Sequence, residues 1–149
     1  MRATDYFELA TGRAPAPDEA ERAFVGGPPT RAVSNKLTIG VFDDRADLIG
    51  VLDAIPDFPG AGTCTIGLLL LDPDRRGRGI GAAVLSAFEA SMTGDGTRRF
   101  RTAVVVHHAP GLRFLERAGY RETSRHEGYD AAATRPTVAV LEKDAAPPV

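Results

Sequence analysis

Ten consecutive residues, Asp72-Pro73-Asp74-Arg75-Arg76-Gly77-Arg78-Gly79-Ile80-Gly81, carry the strongest chemical signal in the chain. Three glycines at alternate positions leave backbone N–H groups uncovered, and three arginines add positive charge at the rim. The segment falls between an apolar run and an amphipathic stretch. Amides at the positive end of a helix bind anions, and glycine lets a phosphate approach closely. The segment reads as a pyrophosphate cradle; the competing reading is a tight turn packed under a helix. Spacing narrows the choice of motif. A Walker A loop needs Gly-Lys-Ser/Thr, and Gly79-Ile80-Gly81 fails it. Gly77-Arg78-Gly79-Ile80-Gly81-Ala82 matches the dinucleotide fingerprint with alanine as its last member. In that fold, however, the first strand runs directly into the first glycine, and the second ends in an acid that holds the ribose. Here five polar residues intervene, and the second strand ends in His107-His108.

The elements that must position this loop follow from apolar periodicity. Lys36–Phe42 alternates, meets the hairpin signal Asp43-Asp44 and is followed by Asp47–Asp53, so two antiparallel strands are expected. The turn-rich link from Ile55 to Gly62 leads into Cys64–Leu71, whose unbroken apolarity suits a central strand buried on both faces. After the loop, a helix is expected from Gly79 to Ser91, with Ile80, Val84, Phe88 and Met92 on one face, ended by Gly94-Asp95-Gly96. Phe100–Val106 reads as a strand parallel to Cys64–Leu71, because a crossover helix separates the two. Pro110 opens a further helix with Leu112, Leu115 and Ala118 inward, and Gly119 closes it. Tyr120–Glu127 and Thr137–Lys143 read as strands around a loop at Gly128 to Pro136. Upstream, a helix is expected over Thr4–Thr11, closed by Gly12. Another is capped by Asp18 with Glu21 and ended by Gly26-Gly27-Pro28-Pro29.

Composition bounds the function. A chain of 149 residues suits one domain, expected over residues 1–144 with a frayed tail at 145–149. Net charge is −2, so no overall field holds nucleic acid or an anionic membrane. The charge is nevertheless uneven. Residues 1–60 hold ten acids against six bases, and residues 72–126 hold ten arginines against six acids. That pattern suits an anion-binding half and a half that tolerates a cationic partner. The single cysteine, Cys64, rules out an internal disulfide and a multi-cysteine metal site, and no metal ligands are expected. The apolar run Ile66–Leu71 is too short to span a bilayer, and no signal-peptide core begins the chain, so the expected location is cytoplasmic.

Arg76-Gly77-Arg78-Gly79-Ile80-Gly81 satisfies the pattern Arg/Gln-x-x-Gly-x-Gly/Ala. It lies between a strand ending in Asp72-Pro73 and an amphipathic helix. A second buried strand follows, and then Ala109-Pro110-Gly111-Leu112-Arg113-Phe114-Leu115-Glu116-Arg117-Ala118-Gly119-Tyr120. With these two motifs at this separation, residues 37–127 resemble the GNAT superfamily of N-acetyltransferases. The resemblance implies an α/β fold: a mixed, mostly antiparallel central sheet with splayed parallel strands four and five, flanked by helices.

It also implies acetyl-CoA as the acyl donor, its pyrophosphate on Arg76, Gly77, Arg78, Gly79, Ile80 and Gly81. The pantetheine arm would bond to main chain near Leu69 and Leu71, with an oxyanion-stabilising amide at Leu71 or Leu70. His108 stands where the family often has a cofactor-touching Asn, and Phe114 falls near the arm, though ordinary core packing explains Phe114 equally well. The family's usual tyrosine, which protonates the leaving thiolate, falls at Leu115. A thiol of pKa ~8.5 leaves tolerably without full protonation, so this weakens catalysis without excluding it. Tyr6, Tyr120, Tyr129 or a water could substitute. An amine nucleophile of pKa ~10 must also lose a proton, and Asp53 and His107 are the candidate bases. No clear first strand precedes the helices, which is a second departure from the family.

The implied activity is acetyl transfer to a primary amine of a cationic small molecule or peptide, by direct attack in a ternary complex. A homodimer is compatible with this, and no nucleic acid or membrane partner is expected. Two rivals stand beside it: a non-catalytic acyl-CoA-binding or sensing module, and a small dinucleotide-binding protein.

Overall fold

The structure is a computed structural model that describes residues 35–127 and 136–147. The helices expected at 4–11 and after Asp18, and the 128–136 loop except Pro136, lie outside the described residues. Strands β1 (Leu37–Phe42), β2 (Leu48–Ile55) and β3 (Thr63–Leu71) come first. A 3-10 turn at Pro73–Arg75 precedes helix α1 (Ile80–Gly94). Then follow β4 (Arg99–Val105), α2 (Ala109–Arg117), β5 (Arg121–Glu127) and β6 (Thr137–Asp144). The strands form one mixed sheet in the order β1-β2-β3-β4-β6-β5. The β1/β2, β2/β3 and β5/β6 pairs are antiparallel, and β3 runs parallel to β4 from Thr63 opposite Arg99 to Ile66 opposite Thr102. The parallel pair is therefore the third and fourth strands, not the fourth and fifth, because Leu37–Phe42 is the first strand of the described chain.

The chain divides into two compact units. One comprises Val33–Thr102 with Lys143–Val149, the other Met1–Ala32 with Ala103–Glu142. In the first unit, Ile49, Leu52, Ala54, Cys64, Ile66 and Phe100 are each at most 5% exposed and form the sheet's contribution to the core. Thr102 is buried in a strand because its hydroxyl donates to the Ile66 carbonyl at 2.9 Å, which satisfies both groups. The buried residues of α1 are Leu85, Phe88, Glu89 and Met92; of the expected Ile80-Val84-Phe88-Met92 face, Phe88 and Met92 are buried and Ile80 and Val84 are half-buried. Glu89 is tolerated there because Lys143, at the far end of β6, donates to its Oε2 at 2.6 Å. The Ala145 amide then donates to the Arg98 carbonyl at 2.9 Å.

In the second unit, β6 buries Ala139, Val140 and Leu141, whereas β5 is exposed at every position. Helix α2 ends as its sequence demands: Gly119 takes φ 93°, and the Tyr120 amide donates to the Leu115 carbonyl at 3.0 Å. Among the described residues no helix is long and apolar enough to cross a membrane.

Cys64 has no exposed surface, and burial, with Asp57's charge adding to it, pushes its thiol pKa up to about 11. At pH 8 an alkylating reagent should therefore label native Cys64 only as fast as the unit opens, and label it promptly in denaturant. Labelling of the native protein at the rate of a free thiol would contradict this burial.

Candidate functional site

The loop after β3 is built from the strand outward. A side chain at Gly50 would bring its Cβ within 2.6 Å of the Leu70 carbonyl oxygen, so glycine there allows β2 and β3 to close up beside Leu71. The Asp72 amide adds one further bond to Ile49, at 2.8 Å. Pro73–Arg75 then turns the chain, with the Arg75 amide on the Asp72 carbonyl at 2.9 Å. Arg76 folds back, its Nε donating to the Leu71 carbonyl at 3.0 Å. Beyond it the backbone enters the left-handed region twice, at Gly77 (φ 70°) and Gly79 (φ 78°), which L side chains rarely adopt.

Helix α1 begins without a side-chain cap, and its first backbone bond is Ala83 N–H to Gly79 at 3.1 Å. Among the described residues, the amides of Gly77 through Ala82 donate to no backbone carbonyl. A Cβ at Gly77 or at Gly79 would meet nothing within 4 Å, so open space lies beside these two residues. Arg78 is exposed and has no partner among the described residues. Exposed or half-exposed arginines, uncovered donors and a helix N-terminus together are the features that favour an anion.

Along β3, Leu69 and Leu71 precede the loop directly. Cys64, Ile66 and Leu71 are buried, Thr63, Thr65 and Leu68 to Leu70 are half-buried and Gly67 is exposed, so the strand is not buried on both faces as expected. The ladder slips at this place: Asp53 faces Leu68 and Ala54 faces Ile66, leaving Gly67 as an extra residue. Such bulges re-aim neighbouring backbone groups and recur beside active sites. An isolated glycine in a strand pattern is the signal that could have marked it.

Asp53 lies inside β2, not after it, and its Oδ2 pairs with Lys36 Nζ at 2.8 Å. The remaining candidates belong to the other unit. His107 is exposed in the turn after β4. His108 caps α2, its amide on Val105 and its carbonyl accepting from Leu112 at 3.2 Å, with its ring against Gly111. Phe114 is half-buried, Leu115 is 8% exposed and Tyr120 is 2% exposed. Tyr6 and Tyr129 lie outside the described residues. A separate groove of about 390 Å³, lined by Leu37, Ile39, Val41, Val84, Phe88 and Met92 among others, contains no loop residue.

One residue of the site escaped the sequence reading. Asp43, taken only as a hairpin signal, accepts from the Arg45 and Asp47 amides through Oδ1, at 2.9 and 3.0 Å. Its Oδ2 accepts from Arg75 Nη2 at 2.7 Å. The Asp47 amide is the main cause that holds the Asp43 carboxyl below the usual carboxylate range; the Arg45 amide and the Arg75 charge act in the same direction, and burial opposes them.

The profile of the Acetyltransferase (GNAT) family matches residues 4–120. No curated protein sequence matches the chain significantly. Among solved structures, an acetyltransferase from Thermus thermophilus is similar with a TM-score of 0.71 and 25% identity, over 93% of this chain and 81% of that one. The ribosomal-protein-S18-alanine N-acetyltransferase of Escherichia coli gives 0.69 at 16% identity, over 97% and 87%. The PaiA N-acetyltransferase of Thermoplasma acidophilum, solved in complex with coenzyme A, gives 0.59 at 24% identity, over 74% and 61%.

The Asp43 carboxylate generates a pH prediction. Its folded pKa lies below its unfolded value of ~3.9, so its contribution to stability is fully present above that value and is lost as pH falls through the folded pKa. A carboxyl titration followed by NMR should give Asp43 a midpoint below 3.8, and a midpoint at or above that of a free aspartate side chain would refute the geometry.

Proposed function

The chain belongs to the GNAT acetyltransferase family, and from that premise we propose that it transfers an acetyl group from acetyl-CoA to a primary amine of a cationic small molecule or peptide. The observation that carries this reading is the run of amides from Gly77 to Ala82 without carbonyl acceptors among the described residues, with open space beside Gly77 and Gly79. In this reading residues 1–144 act as one catalytic domain, and Arg76, Gly77, Arg78, Gly79, Ile80 and Gly81 hold the pyrophosphate. The main chain of β3 at Leu69 and Leu71, beyond the last β3–β4 pair at Ile66 and Thr102, receives the pantetheine arm as an added strand. His108 and Phe114 complete the coenzyme contacts. The net acidity of residues 1–60 favours a cationic acceptor. A protein amine is one class of acceptor, as the name of the Escherichia coli neighbour records.

Acetyl-CoA, when bound, supplies a thioester carbonyl open to nucleophilic attack. The amine nitrogen forms the new C–N bond as the C–S bond breaks, in a ternary complex, and sulfur leaves as thiolate. A main-chain amide at Leu70 or Leu71 stabilises the carbonyl oxygen as charge builds on it. The acceptor ammonium must first give one proton to a base, because only the neutral amine has a lone pair. The second proton lost from nitrogen as the amide forms goes to the departing thiolate or to solvent. Asp53 has Oδ2 engaged by Lys36, which leaves Oδ1 for the first proton, and exposed His107 can take it and pass it to solvent. Thiolate departs without a tyrosine at position 115 because a thiol is already a fair leaving group.

One observation favours a second reading. Leu115, 8% exposed, replaces the tyrosine with an inert side chain, as a non-catalytic acyl-CoA-binding module would allow. Turnover of any member of an amine panel excludes that reading.

Calorimetric titration should show micromolar acetyl-CoA binding and no NAD signal. Arg76→Ala combined with Gly79→Val should abolish it, since valine in the left-handed region is strained by roughly 1–3 kcal/mol and would cover the amides. Silence from acetyl-CoA with the native chain, or unchanged affinity in the double variant, defeats the reading.

A further inference from the structure

We infer that Asp43 is a positioning residue for the loop: through Arg75 it anchors the turn from which the free amides of Gly77 to Ala82 are presented. The inference rests on the coenzyme-binding reading above. It comes from how the three loop arginines are used. Arg75 is bound to Asp43, 32 residues earlier in the chain, at 2.7 Å. Arg76 is bound through Nε to Leu71 at 3.0 Å, and Arg78 has no partner among the described residues. The loop's positive charge is therefore divided. Arg75 is neutralised and serves geometry, while Arg78 remains available to an anion.

The pair is built to hold position. The Asp43 side chain is 7% exposed and that of Arg75 37%, so water screens the contact far less than it screens the Arg99–Asp144 pair, at 52% and 79%. Asp43 is itself fixed, because its other oxygen accepts two amides of its own turn and its backbone exchanges bonds with Asp47 and Ala46. The β1–β2 turn is thus a rigid post. Arg75 ties to it the 3-10 turn that immediately precedes the two left-handed glycines. Anion sites made of main-chain donors depend on preorganisation, since each amide must already point at the ligand.

The test uses the full chain and coenzyme A itself. Asp43→Asn and Arg75→Gln are compared with the native protein and with the double variant, and Asp144→Asn serves as the control that removes a surface pair. Each single variant should weaken coenzyme A binding roughly tenfold, the loss of one charge-assisted hydrogen bond. The double variant should be no weaker than the worse single, because both break the same contact. In the unliganded variants the Gly77 and Gly79 amide resonances should shift, a change that general loss of stability would not produce selectively. Arg75→Gln leaves the Asp43 turn intact and keeps the test open if Asp43→Asn folds poorly. Native affinity with unshifted resonances, or losses that add in the double variant, would overturn the positioning role. Failure of the native chain to bind coenzyme A removes the functional reading instead, and unshifted amide resonances then overturn the clamp on their own.

Discussion

Six consecutive amides at the β3–α1 junction lack carbonyl acceptors among the described residues, and the rest of the first unit can be understood as what keeps them in that condition. A helix ordinarily satisfies its first donors with a Ser, Thr, Asp or Asn cap, worth about 0.5–2 kcal/mol. Helix α1 has glycine at that position and no acid in its first turn, so it forgoes both the cap and the favourable charge. Its stability must come from elsewhere. Leu85, Phe88 and Met92 bury its inner stripe, and Glu89 ties it to Lys143. The open end of the helix is thus supported from its middle.

The same economy governs β3. One face of its first part is sealed, with Cys64 and Ile66 at 0% and 5% exposure, and Leu68 to Leu70 are only half covered before Leu71 is buried again. The change falls at Gly67, where the ladder with β2 gains a residue. Glycine serves opposite purposes at three nearby places: Gly50 lets two strands approach, Gly67 lets a ladder slip, and Gly77 with Gly79 lets the backbone turn left-handed.

What was legible in the sequence was local. The arginine-glycine loop, the order of strands and helices, and the helix end at Gly119 depend on residues a few positions apart, and apolar period and glycine spacing report them directly. What was not legible depends on partners far along the chain. Nothing near Asp43 announces Arg75, and nothing near Glu89 announces Lys143, so Asp43 reads as turn chemistry and the burial of Glu89 beside Phe88 and Met92 leaves no local signal. Asp53 was placed beyond its strand because an acid usually ends one; Lys36 across the ladder lets it remain inside. The numbering of the parallel strands differs for another reason: it follows the family's count, whereas Leu37–Phe42 is the first strand among the described residues.

The bond between Glu89 and Lys143 bears on the order in which the molecule can be finished. A ribosome releases residues from the amino end, so Glu89 of helix α1 emerges 54 residues before the lysine that pairs with it. The Ala145 amide that joins Arg98 appears later still. The unit that holds the arginine-glycine loop therefore gains these bonds only after the whole of α2 and β5 has been made.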